Sequence, residues 1–176
     1  MSIKSAILGI LSWKSSSGYE LKKLFEESSF MYWSGNNNQI YKALLQMQAE
    51  GYVSCEVIHQ EGAPSKKEYR ITEAGLAQLK AWLLSPADAP EFKKPFLIQL
   101  AWSDLLTDQE LNELLTKYEH ELKVQLLSQE EQNKRSRNFP DRSPRETLIW
   151  DMIGQNLLAS YETELHWVQT LRKSLC

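Results

Sequence analysis

Residues 36–53 read NNNQIYKALLQMQAEGYV. Ile40, Ala43, Leu44 and Met47 recur at helical spacing, so the stretch predicts a helix that begins near Ser34 or Asn36 and runs to Glu50. Gly51 follows, and glycine can take the left-handed conformation that closes a helix. With residue 40 at zero and about 100° per residue, Asn38, Lys42 and Gln46 fall opposite the apolar row, flanked by Gln39 and Tyr41. Amides and a lysine on an outer face are ordinary for a solvated helix. They are also the side chains that pair with adenine edges, guanine acceptors and phosphates. The neighbouring elements bear on which use applies.

Upstream, Ile3, Ala6, Ile7, Ile10 and Leu11 mark a short amphipathic helix. In SSSGYELKKLFEESSF, Ser17 and Glu20 form a capping box that opens a second helix burying Leu21, Leu24 and Phe25. Downstream, YVSCEVIHQ places Val53, Cys55 and Val57 on one face, and KKEYRIT turns Tyr69 and Ile71 inward. EGAPSK between them, with its Gly and Pro, predicts a β-hairpin with a long, mobile tip carrying Lys66 and Lys67. Thr72 caps a fourth helix, EAGLAQLKAWLL, that stops at Pro86. Three helices, a hairpin and a helix within 85 residues have the order of a helix-turn-helix with a basic wing.

Composition narrows the class. The chain has 176 residues and a net charge of −3, room for one medium or two small domains. Residues 1–85 carry nine Lys/Arg and eight Asp/Glu (+1), and residues 86–176 eleven and fifteen (−4). The first half is therefore near neutral with local basic points, which permits DNA binding without requiring it. No run approaches a membrane span, and the N-terminus has no basic leader or cleavage site, so a cytoplasmic protein is expected. Cys55 and Cys176 supply neither a disulfide framework nor a metal site, and no cofactor is expected. His59, His120 and His166 fall on separate elements with no nucleophile at an elbow, which speaks against an enzyme.

Three motifs, AILGILSWKSSSGYELKKLF, QIYKALLQMQAEGYV and KKEYRITEAG, occur in the order and at the separations of the PadR family of bacterial transcriptional regulators, which residues 1–85 resemble. The fold class this implies is mainly α, a winged helix-turn-helix domain (1–85), a linker (86–95) and a helical C-terminal dimerisation domain (96–176). The resemblance also implies a homodimeric repressor. By position, Tyr41 and Lys42 match the family's groove-facing tyrosine and its neighbour, Gln39 the polar residue before Ile-Tyr, and Tyr19 the tyrosine that starts the second helix. Lys66 and Lys67 match the basic wing. With Asn38 and Gln46 from the outer row, these are the candidate DNA contacts. Leu45 and Gln46 stand where many members have basic residues, which removes phosphate contacts and the counterion release they bring.

The second half reads as an arm. ADAPEFKKP is a Pro-containing linker, and FLIQLAWSDLL a short apolar helix. Thr107 and Glu110 form a second capping box, opening a helix with Leu111, Leu114, Leu115, Tyr118, Leu122 and Leu126 on one face. It ends in NKRSRN, where cations suit the helix C-terminus. Ser143, Pro144 and Glu146 start a last helix reaching almost to Cys176. Two long helices joined by a short turn predict an antiparallel hairpin. The last helix has one row, Trp150, Ile153, Leu157, Tyr161, Leu165, Val168 and Leu171, and a second with Leu148, Met152 and Ala159. One neighbour cannot cover both, and the first row is assigned to dimerisation.

Twofold symmetry then sets two recognition helices about 34 Å apart on double-stranded DNA, on a near-palindromic operator. Resemblance to the family implies small, sometimes aromatic or phenolic, effectors for some members. The six tryptophans are expected in cores and mark no effector site. The alternative function is a protein-interaction module whose winged head does not bind DNA.

Overall fold

The first apolar run forms α1 (Ile3–Leu11), burying Ile7, Leu8, Ile10 and Leu11. The computed structural model describes residues 3–28, 38–60, 63–89, 94–135 and 143–175, which divide into two units, Met1–Asp88 and Ala89–Cys176.

In the first unit α1 is followed by β1 (Ser16–Ser17), α2 (Gly18–Glu27), α3 (Asn38–Ala49), β2 (Val53–Gln60), β3 (Ala63–Ile71) and α4 (Glu73–Leu83). The three strands form an antiparallel sheet in the order β1-β3-β2. Leu21 and Phe25 of α2, Ile40, Ala43, Leu44 and Met47 of α3, and Val53 and Tyr69 of the sheet close a core with α1. The expected start of α3 at Ser34 or Asn36 lies outside the described residues. At its other end Gly51 has φ +77°, the one positive φ among the described residues. That turn lets the Tyr52 amide donate back to Met47 O at 2.9 Å, which ends α3 and launches β2. Thr72 caps α4 by accepting from the Gly75 amide at 3.1 Å, while its hydroxyl donates to Gly51 O at 2.7 Å.

The wing departs from expectation in three ways. The two-residue strand β1 was not read from the sequence; it pairs Ser16 with Tyr69 and Ser17 with Glu68. The strands continue to a Gln60–Ala63 pair, and Lys66 and Lys67 stand within β3 opposite Ile58 and Val57, while Glu61 and Gly62 of the expected tip lie outside the described residues. Pro64 is accommodated because β3 has a neighbour on only one side there. Val57 is exposed, since the inward row outruns the helices beneath it after Cys55.

The second unit contains α5 (Pro95–Ala101), a 3₁₀ turn (Ser103–Leu105), α6 (Asp108–Arg135) and α7 (Pro144–Leu175). The Thr107–Glu110 capping box forms at the start of α6, and Ser143 Oγ accepts from the Glu146 amide at 3.1 Å at the start of α7. The last residues of NKRSRN lie outside the described residues. Contacts run antiparallel: Arg172 near the end of α7 bonds Glu119 at 2.6 Å and Thr116 at 3.1 Å, whereas Gly154 near its start faces Asn133. A Cβ on Gly154 would lie 2.7 Å from Asn133 Oδ1. That same oxygen accepts from the buried Gln129 at 2.7 Å.

This packing draws part of the row assigned to dimerisation inside the single chain. Phe96, Leu115, Leu122 and Val168 form the core of the unit, with Tyr161, Leu165 and Leu171 packed around it. Val168 is 0% exposed within the single chain, so it has no surface to offer a second copy. Trp150, Ile153 and Leu157 are half-buried. The leucine row of α6 takes the first row of α7 as its cover because it is tethered beside it. The other row stays open: Leu148 and Met152 are 61% and 54% exposed and Ala159 is exposed too, with Ile149 beside them 48% exposed. The tryptophans also differ from expectation. Trp82, Trp102 and Trp167 are exposed and Trp13 and Trp150 half-buried, while Trp33 lies outside the described residues. No described helix is long and apolar enough to cross a membrane.

Candidate nucleic-acid interface

The face of α3 opposite the core row is open. Asn38, Gln39, Lys42 and Gln46 are exposed, and Tyr41 is 45% exposed. Tyr19 stands exposed one residue into α2, and Lys67 projects from β3. A shallow depression of about 650 Å³ joins these elements, lined among others by Gly18, Tyr19, Tyr41, Leu45 and Lys67. Seven of the eight candidate contacts are thus exposed on α2, α3 and the wing.

The eighth, Lys66, is already engaged. Its ammonium donates to Glu20 Oε1 at 3.0 Å. Glu20 Oε2 accepts from the Ser17 amide at 2.7 Å and from the Ser17 hydroxyl at 2.9 Å, closing the capping box of α2. The Ser17 amide and then Lys66 hold the Glu20 carboxyl down to about 2, against an opposing desolvation. Gln46 is also committed in part, donating to Glu50 at 3.0 Å. Glu50 in turn accepts from Lys4 at 2.8 Å, so the end of α3 is tied to α1.

Tyr41 is placed by a glycine. A Cβ on Gly18 would come within 2.5 Å of Tyr41 Cε1 and 3.1 Å of Cζ. The ring therefore lies against the backbone at the first turn of α2, which only glycine permits at this distance. Behind it, Tyr69 is buried beside Cys55, its partner across the sheet. Burial, then Cys55, pushes the Tyr69 hydroxyl up from its ordinary value, so it stays protonated.

Residues 7–81 match the family described as "Transcriptional regulator PadR-like family". Over the whole length, the chain is similar to Bacillus subtilis PadR in complex with operator DNA, with a TM-score of 0.84, 25% identity and 99% of each chain covered. Residues 7–81 thus carry the match to the PadR-like family, and the whole chain shares the PadR fold. The family is one of transcriptional regulators. Bacillus subtilis PadR, a "Negative transcriptional regulator", is 32% identical over 113 residues, 64% of this chain and 62% of that protein. A Mycobacterium tuberculosis protein named "Probable transcriptional regulator" is 37% identical over 86 residues, 49% of this chain and 46% of its own length. The matched stretches thus span about half to three-fifths of these curated relatives. PadR of Bacillus subtilis has also been solved with p-coumaric acid, and this chain is similar to it with a TM-score of 0.76 and 25% identity, covering 96% and 95% of the two chains.

Sequence reasoning missed the Gly18–Tyr41 contact and the engagement of Lys66 in this PadR-like head. A glycine directly after a capping serine was the available signal for the first. Nothing in the residue pattern told Lys66 from Lys67 for the second.

Proposed function

We propose that the chain is a sequence-specific DNA-binding regulator of transcription, a homodimeric repressor released by a small, aromatic effector. Residues 1–85 form the DNA-reading head, 86–95 the linker and 96–176 the dimerising arm. The observation that carries the reading is the division of α3: Ile40, Ala43, Leu44 and Met47 are spent on the core, and Asn38, Gln39, Tyr41, Lys42 and Gln46 are left open. Amides read adenine edges bidentately, and the lysine and the tyrosine hydroxyls of Tyr19 and Tyr41 reach guanine acceptors or phosphates. The likeness to a PadR solved with operator DNA and with p-coumaric acid supports the DNA and effector parts.

The open row Leu148, Ile149 and Met152 on α7 supports pairing of two copies, because an isolated exposed apolar stripe on a long helix calls for a partner. Paired heads about 34 Å apart would read a near-palindrome. An effector that binds better to a dimer with another separation releases the DNA. The regulator acts in the cytoplasm with the DNA, and the reading assigns it no catalytic step.

Binding of the full chain to a duplex from its own upstream region, measured by fluorescence anisotropy at about 50 and 200 mM salt, tests this. Tight, salt-sensitive binding is expected. A dimer that retains no duplex at low salt rejects it in favour of a protein-interaction module.

A further inference from the structure

The wing has two adjacent lysines, and the structure treats them differently. Lys66 stands on β3 opposite Ile58, and Lys67 opposite Val57. The Lys66 ammonium lies 3.0 Å from Glu20 Oε1, with the two side chains 31% and 43% exposed. The other Glu20 oxygen is held by the Ser17 amide and hydroxyl, and Ser17 is hydrogen-bonded into the sheet opposite Glu68. The contacts close a ring from β3 through Lys66, Glu20 and Ser17 back to β3. Among the described residues no ion pair or hydrogen bond engages the exposed side chain of Lys67.

We propose that Lys66 and Glu20 form a strut that fixes the wing against the first turn of α2, making Lys66 a positioning residue and Lys67 the wing's phosphate contact. The proposal rests on the DNA-binding reading above. Were Lys66 to leave for a phosphate, the Glu20 carboxylate would be left without its cation beside a polyanion. Held together, the two charges cancel, and the pair adds no net term to counterion release. The depression they border contains Tyr19 and Tyr41, so the strut sets the wing relative to both tyrosines.

The test uses the full chain and its upstream duplex across a salt series, with Lys66→Met, Lys66→Arg, Glu20→Gln, Lys67→Met and the Lys66→Met/Glu20→Gln double variant. Lys66→Met is expected to lose about two- to fivefold in affinity with the slope of log K against log salt unchanged. Lys66→Arg, which keeps the pair, restores binding. Glu20→Gln can still close the capping box, yet it also weakens binding, although removing a negative charge from a DNA face would by itself strengthen it. The double variant is no weaker than either single one. Lys67→Met flattens the slope by about 0.9.

A slope flattened by about 0.9 in Lys66→Met, with Glu20→Gln binding as tightly as the parent or tighter, overturns the strut. Amide hydrogen exchange without DNA gives an independent readout. Exchange in β2 and β3 should quicken in Lys66→Met and Glu20→Gln and not in Lys67→Met; unchanged exchange in all three overturns the strut. Failure of the parent to bind any duplex at low salt rejects the DNA-binding reading, and the exchange result still decides the strut.

Discussion

Replacing Gly18 by alanine separates the position of Tyr41 from the stability of the fold. The new Cβ would meet Tyr41 Cε1 at 2.5 Å, with Cζ and Cδ1 at 3.1 and 3.2 Å. Carbon atoms rest about 3.5 Å apart or more, so the ring must retreat by about 1 Å. Tyr41 is 45% exposed, so it can swing outward without disturbing the core, and alanine costs an α-helix less than glycine does. Stability should therefore stay within about 1 kcal/mol of the parent. The hydroxyl, carried at the far end of the ring, moves at least as far. A bond to phosphate at about 2.8 Å then stretches past the usual limit, and losing a bond to a charged group costs about 1.5–3 kcal/mol. That corresponds to a Kd weaker by roughly 10- to 150-fold. Anisotropy titration measures the affinity and urea denaturation the stability. Tyr41→Phe should lose a similar amount, and Gly18→Ala/Tyr41→Phe no more than either alone. If Gly18→Ala binds like the parent while Tyr41→Phe is weakened, the ring accommodates the methyl without moving its hydroxyl, and the reasoning fails.

Three further outcomes are expected. Glu20, held at about 2 rather than 4.5, contributes stability that is fully present above 4.5 and is lost as pH falls through about 2. Solvent screening of its 43% exposed side chain reduces this to about 1 kcal/mol, so urea denaturation between pH 6 and 3 should fall less steeply in Glu20→Gln than in the parent. Gly75→Ala would place a Cβ 2.1 Å from the Tyr52 carbonyl oxygen; because that neighbour is backbone, the denaturation midpoint should report a loss of about 1–3 kcal/mol. Met152→Asp on the open row of α7 should yield monomers by sedimentation with unchanged circular dichroism; a dimer as tight as the parent's would place the pairing surface elsewhere.

Local signals explain what could be read from the residues. The Ser17, Thr107 and Ser143 caps, the Gly51 turn and the buried row of α3 depend on short-range spacing, and each was visible in a dozen residues. The exposed amides of α3 followed from the same wheel. What escaped reading depends on distant parts of the chain. Strand β1 is two residues long and exists only because β3 offers it an edge. Lys66 and Lys67 differ because Glu20, 46 residues earlier, reaches one of them. The two apolar rows of α7 were both legible, but which one α6 covers is a question of rotation about the helix axis. The pattern gave each row nearly equal claim, and the pairing of Val168 with Leu115 and Leu122 decides it.

The notch at Gly154, filled by the Asn133 amide with Gln129 behind it, governs how the arm can move. Leucine-lined helices of 28 and 32 residues could slide past one another by a heptad at small apolar cost. Here a slide would push a larger side chain of α7 against the Asn133 amide, into a gap sized for hydrogen. The hairpin is thereby keyed. A torque applied at one end is delivered at the other as rotation of a stiff lever, and little of it is dissipated in slippage.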